Sequence, residues 1–216
     1  MTDKIKLILA SASPRRHELL LAAGLNHSVT VSDADERVTS KAADGTPYAA
    51  HYAAEASRIK GEAVVRTFEA MSHAPAKTEG VRTFVISADT VVSSDMTEVL
   101  GKPKDKEDAV KMIKSLSGGI HYVVGGLTVT EIGGKSVTDT VITEVKFASL
   151  SGSEIEAYVS TAEPYDKAGG YGIQGVASLF AEGVTGDYAN VVGISIAALR
   201  RILTEDFGLD GADLIR

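Results

Sequence analysis

The chain contains no cysteine, so disulfides and thiolate metal centres are excluded. No apolar run approaches the roughly 20 residues that cross a bilayer. Lys4 and Lys6 precede an apolar stretch too short for a signal peptide and interrupted by Ser11 and Ser13. A soluble, cytoplasmic protein with no membrane partner is expected. No Gly-Lys-Ser or Gly-Lys-Thr follows the first apolar strand, which argues against a P-loop there, and no Gly-x-Ser-x-Gly elbow is present. Ser11 and Ser13 therefore read as phosphate donors rather than nucleophiles. The five histidines form no metal set: His17-Glu18 lacks the second His of a zincin helix, and His27, His51 and His73 have no partner at ligand spacing. His121, at the start of a Val-rich strand, reads as a packed residue. A net charge of −7 argues against a nucleic-acid partner but leaves room for a local basic pocket that holds a small polyanion.

What is present is enough for a full core. With 216 residues, 44% hydrophobic and 24% charged, the chain can form one domain or two closely joined lobes. Residues 46–70 predict a long Ala- and Glu-rich helix, and 72–80 a loop. Residues 82–92 predict an apolar strand split by Ala88-Asp89-Thr90. Asp105 is placed to cap a helix carrying Ala109, Met112, Ile113 and Leu116, which Ser117-Gly118-Gly119 ends. Residues 121–130 and 136–147, with Gly133-Gly134 between them, predict an antiparallel hairpin. Ser151 and Glu154 form a capping-box pattern; 178–181 predict a short strand and 192–203 a last helix.

Four places carry chemistry. In Ser11-Ala12-Ser13-Pro14-Arg15-Arg16 a strand runs into a helix start, with Ser13 as N-cap and Pro14 at the first helical position. Unpaired N–H groups, the helix dipole and two guanidiniums converge there, an arrangement suited to phosphate; an ordinary cap with two solvated arginines is the alternative. Asp89, at the break in an apolar strand, is a candidate proton acceptor or cation ligand, or else a hydrogen-bonded turn residue. Asp33, Asp35 and Glu36 are either a Mg²⁺-binding cluster opposite a triphosphate or a solvated loop. Lys102, in Gly101-Lys102-Pro103, is held in a turn facing phosphate or water. In the stretch from Asp166 to Gly175, four glycines permit close backbone approach, Lys167 adds a cation, and Gln174 adds an amide suited to a base edge.

Taken in order and spacing, Ser11-Ala12-Ser13-Pro14-Arg15-Arg16, Ala88-Asp89-Thr90, Gly101-Lys102-Pro103, Asp166-Lys167-Ala168-Gly169-Gly170-Tyr171-Gly172-Ile173-Gln174-Gly175 and Gly186-Asp187-Tyr188-Ala189-Asn190-Val191-Val192-Gly193 resemble the Maf family of nucleoside triphosphate pyrophosphatases. The resemblance implies an α/β fold, an elongated mixed β-sheet flanked by helices, as in Maf and inosine triphosphatase-like proteins. Residues 1–216 would form a single domain of two lobes around a central cleft, commonly in a homodimer. It implies hydrolysis between the α- and β-phosphates to a nucleoside monophosphate and pyrophosphate, a house-cleaning of nucleotide pools that uses a divalent cation, Mg²⁺ or Mn²⁺. Asp89 falls on the catalytic proton acceptor, Ser13, Arg15 and Arg16 in the phosphate-binding turn, and Lys102 and Lys167 on cationic positions. Glu36 falls on the acidic position, so that Glu36 and Asp89 are the implied metal ligands. Arg15, Thr90 and Gln174 match the positions tied to base choice in the dTTP/UTP branch, and Gly-Ile-Gln-Gly separates the chain from the 7-methyl-GTP branch. The family Lys of the second helix falls at Ala56, leaving Arg58 or Lys60, two or four residues on, to supply the charge. Two other functions are weighed against this one: a nucleotide-binding regulator of cell division and septum formation without significant turnover, and a phosphatase that removes the terminal phosphate.

Overall fold

The computed structural model describes residues 4–35, 37–71 and 80–215. Its strands are β1 (Lys4–Leu9), β2 (His27–Val29), β3 (Val81–Ser93), β4 (Ile120–Glu131), β5 (Ser136–Phe147) and β6 (Ala181–Thr185). They form one six-stranded sheet in the order β2-β1-β3-β4-β5-β6, in which β1 is parallel to β2 and β3 and the remaining pairs are antiparallel. Helices α1 (Pro14–Ala22), α2 (Tyr48–Met71), α3 (Lys106–Leu116), α4 (Gly152–Val159), α5 (Tyr188–Val192) and α6 (Ile196–Arg201) flank it. The expected mixed α/β sheet is therefore present. The loop predicted at 72–80 lies, but for Gly80, outside the described residues. No helix among the described residues is long and apolar enough to cross a membrane.

Alternation along β3 sorts the two faces of the sheet. Phe84, Ile86 and Ala88 join Leu7, Leu9, Leu20, Leu199 and Ile202 in one core, whereas Val85 packs with Ile8, Ala10 and Val64 beneath α2. Further along, Val123, Val145, Phe147 and Tyr158 form a second core with Ala109, Ile113 and Leu116 of α3.

The predicted break at Ala88-Asp89-Thr90 does not occur; β3 is continuous, and the interruption lies in its neighbour. Pairing of β1 with β3 ends at Leu9–Ile86, while β3 runs on to Ser93. Between Ile86 and the isolated Val92–Leu100 bridge, that edge of β3 has no strand partner among the described residues. Two polar residues are tolerated mid-strand because this edge is open, and because Gly126 and Gly125 stand opposite them on β4. An uncovered edge at the carboxyl end of parallel strands is where open α/β sheets accept ligands.

Helix α2 is docked closely behind this edge. Ala49, Ala53, Ala56, Ser57, Lys60 and Val64 recur at spacings of three and four and are buried. A Cβ on Gly126 would stand 1.9 Å from the Ala53 carbonyl oxygen, and one on Gly61 2.6 Å from Ser87 Oγ, so both glycines are needed for this approach. Ser87 Oγ donates to the Ser57 carbonyl at 2.8 Å, and the Ser57 and Thr128 hydroxyls share a hydrogen bond of 2.8 Å. These contacts fix the rotation of α2 about its axis, and with it the direction of Lys60.

Most predicted caps are in place. Asp105 accepts from Asp108 N, and Ser151 and Glu154 close a reciprocal capping box. Two predictions shift. The stretch expected as a strand from 178 is a 3₁₀ turn, Val176–Leu179, and β6 starts at Ala181, because the Glu163 carboxylate accepts the N–H groups of Val176 and Ala177. The last helix is broken: α5 ends at Val192, Gly193 adopts φ 154°, and Ser195 caps α6 by accepting from Ala198 N.

His121 is packed, as its position at the start of β4 suggests. It is 1% exposed, its Nε2 lies 2.7 Å from the Tyr171 hydroxyl, and its Nδ1 has no hydrogen-bond partner among the described residues. Burial pushes its pKa down to about 4 from 6.5. Between those values the unfolded chain takes up a proton that the folded chain refuses. Stability is therefore fully present above pH 6.5 and falls as pH drops toward 4, by about 3 kcal/mol. Urea denaturation of the wild type and of His121→Phe across this range is expected to give a steeper pH dependence for the wild type; parallel curves would show that His121 does not titrate in this way.

Candidate active site

The uncovered edge of β3 opens into a pocket of about 730 Å³, a size suited to a small ligand. It is lined by Ser13, Arg15, Arg16, Asp89, Thr90, Lys102, Lys167 and Gln174, drawn from segments far apart in the sequence. Glu36 lies outside the described residues. Asp35, next to it, is turned to Arg37 at 2.5 Å, and the guanidinium holds its carboxyl down at about 2.

Lys60 is the site residue that the sequence left unresolved. Its Nζ donates to Asp89 Oδ1 at 2.6 Å, with side-chain exposures of only 10% and 16%. The alternative, Arg58, is turned away and paired with Glu55 and Glu62 on the same helix. Ala56 is buried against the sheet. The two side chains thus meet in a largely water-excluded spot that still borders the pocket.

The opening turn forms as its sequence predicts. Ser13 is the N-cap of α1 in extended conformation and Pro14 begins the helix. The Ser13 side chain makes no capping bond, and its N–H donates to Ser11 Oγ at 3.2 Å. The two arginines divide their tasks. Arg16 is a brace: Nε donates to the Gly193 carbonyl at 2.8 Å, Nη1 to Ser11 Oγ at 3.1 Å and Nη2 to Thr90 Oγ1 at 3.3 Å. Thr90 in turn donates to the Gly193 carbonyl at 3.2 Å. Arg15 makes no hydrogen bond among the described residues and is presented to the pocket. The segment carrying Gly193 is itself locked, for Asp187 accepts from Ala189 N, Asn190 N and Ser195 Oγ. Buried Asn190 donates to the carbonyls of Val123 and Val141 from the space a side chain on Gly125 would fill.

On the far wall, Lys167 Nζ donates to the Glu163 carbonyl at 2.8 Å and to Asp166 Oδ1 at 2.5 Å. Lys167 lowers the Asp166 pKa, and Arg15 adds to that effect. Lys102 is exposed at the rim. Arg15, Lys102 and Lys167 thus share one pocket with Asp89 and with an amide, Gln174. Such a pocket suits a polyanion with a hydrogen-bonding head. Among the described residues no three His, Cys, Asp or Glu side chains converge as a metal cage. Two carboxylates line the pocket, Asp89 and Asp166, each paired with a lysine, so a cation bound there would take most of its ligands from substrate and water.

The family profile described as Maf-like protein matches residues 6–206. The chain is 41% identical over 206 residues to the dTTP/UTP pyrophosphatase of Alkaliphilus oremlandii, covering 95% of this chain and 98% of that one. It is 37% identical over 206 residues to the dTTP/UTP pyrophosphatase of Alkaliphilus metalliredigens, with the same coverage of 95% and 98%. To the protein of that description from Exiguobacterium sibiricum it is 42% identical over 213 residues, 97% of this chain and 96% of that one.

Proposed function

This chain belongs to the Maf family, and from that membership we propose that it hydrolyses dTTP and UTP to the nucleoside monophosphate and pyrophosphate. The observation that carries the reading is the Asp89–Lys60 pair, 2.6 Å apart, on the floor of a pocket walled by Arg15, Lys102 and Lys167. Asp89 orients a water for in-line attack on the α-phosphorus and takes up its proton. Lys60 and the wall cations offset the charge that grows on the departing pyrophosphate, for phosphoryl transfer depends mainly on positioning and electrostatics. A divalent cation, Mg²⁺ or Mn²⁺, would be held by Asp89, with Glu36 as the second ligand that the family resemblance implies, and would supply further charge neutralisation when bound. Gln174 reads the base edge, with Arg15 and Thr90 at the other positions that the family resemblance ties to base choice. Arg16 and Thr90 act through each other and through Gly193, which sets the shape of the phosphate turn. A homodimer is part of the same proposal, resting on family resemblance.

Separation of products after incubation with a nucleotide panel and either cation tests the reading. UMP with pyrophosphate from UTP is the expected outcome. UDP with phosphate would make the protein a terminal phosphatase, and no product from any nucleotide would make it a binding regulator. Activity confined to 7-methyl-GTP would overturn the pyrimidine assignment.

A further inference from the structure

The loop that carries Gln174 is held from outside the pocket. Gly175 N–H donates to the Gly172 carbonyl at 2.9 Å, closing a turn with Ile173 and Gln174 at its tip. Ile173 is buried in the second core and Gln174 is exposed at the pocket wall. Directly after this turn the Glu163 carboxylate accepts from Val176 N at 2.8 Å and from Ala177 N at 3.3 Å. The Tyr158 hydroxyl lies 3.2 Å from the same carboxylate and 3.2 Å from the Gly170 carbonyl, its one proton shared between them, which ties both flanks of the loop to α4. The fit is tight: a Cβ on Gly175 would stand 2.3 Å from Glu163 Oε2, and one on Gly172 2.6 Å from Lys167 Cε.

We propose that Glu163 is a positioning residue for base recognition, its carboxylate latching the backbone after Gln174 and so fixing where the amide meets a pyrimidine edge. A charged acceptor on two consecutive N–H groups is strong and directional, and it comes from the 3₁₀ turn Glu163–Asp166 that follows α4. Glu163 does not line the pocket, so its effect passes through the loop. Loss of the latch leaves Arg15, Lys102 and the phosphate turn untouched. The inference rests on the reading of the pocket as a nucleoside triphosphate site.

Two probes separate the base from the phosphates: the non-hydrolysable α,β-imido analogue of UTP, and tripolyphosphate, both measured by calorimetry. Glu163→Ala is expected to weaken the nucleotide analogue about tenfold, the equivalent of one hydrogen bond to the base, and to leave tripolyphosphate within about twofold. Glu163→Gln is expected to fall between, since its carboxamide oxygen still accepts from Val176 N, and it carries the test if the Ala variant does not fold. Equal loss of both probes would reduce Glu163 to a structural role, and unchanged binding of both would remove it altogether. A wild type that binds the two probes equally would overturn base reading itself, whatever the variants do.

Discussion

Asp89→Asn is expected to lower turnover of dTTP and UTP by on the order of 10³-fold or more, the full loss of a positioned base, while the protein melts with the wild type. Asparagine keeps the size of the side chain and an oxygen that can accept from Lys60 Nζ, 2.6 Å away in the wild type. The β3–β4 pairing at Asp89 and Gly126 is made by backbone, so the strand has no reason to move. What disappears is the negative charge: the carboxamide does not take the proton of an attacking water. Release of pyrophosphate, followed beside thermal melting, checks both halves. Turnover at the wild-type rate would take Asp89 out of the mechanism, and loss of folding would show that the pair with Lys60 is structural.

Local signals in the sequence translated directly into structure. Ser13-Pro14 starts α1, Asp105 caps α3, and Ser151 with Glu154 closes a box on α4, because each is decided by neighbours within a turn. The misreadings share a cause in distant partners. Asp89-Thr90 looked like a strand break because polar residues are costly in a paired strand; the relief comes from where β1 stops, which no local pattern contains. The last helix looked continuous because its apolar residues keep their spacing, whereas Gly193 is bent to aim its carbonyl at Arg16. Lys60 did carry a signal. It continues the series Ala53, Ala56 and Ser57 on the buried face of α2, where a lysine must find an anion, while Arg58 falls on the exposed side among glutamates. Glu163 had no such signal, since its partners are backbone N–H groups 13 and 14 residues away.

Lys60→Ala is the second substitution with a large expected effect, a loss of about 10³-fold in turnover if its ammonium offsets transition-state charge as cations do in phosphoryl transfer. The single variant does not by itself separate that role from support of Asp89, since it also strips the carboxylate of a partner at 2.6 Å in a site only 16% exposed. A double-mutant cycle does. Where two groups act as one unit, removing the second costs little once the first is gone; where they act independently, their losses multiply. Lys60→Ala/Asp89→Asn is expected to be slower than Asp89→Asn alone, toward the product of the two single losses, because the lysine offsets charge on the pyrophosphate while the aspartate acts on the water. A double variant no slower than Asp89→Asn would show instead that the lysine only holds the aspartate in place. Lys60→Arg is expected to recover little of the rate. The hydrogen bonds of Ser87 to the Ser57 carbonyl and of Ser57 to Thr128 hold α2 at its distance from the sheet, so the longer, planar guanidinium would have to displace the Asp89 carboxylate it pairs with.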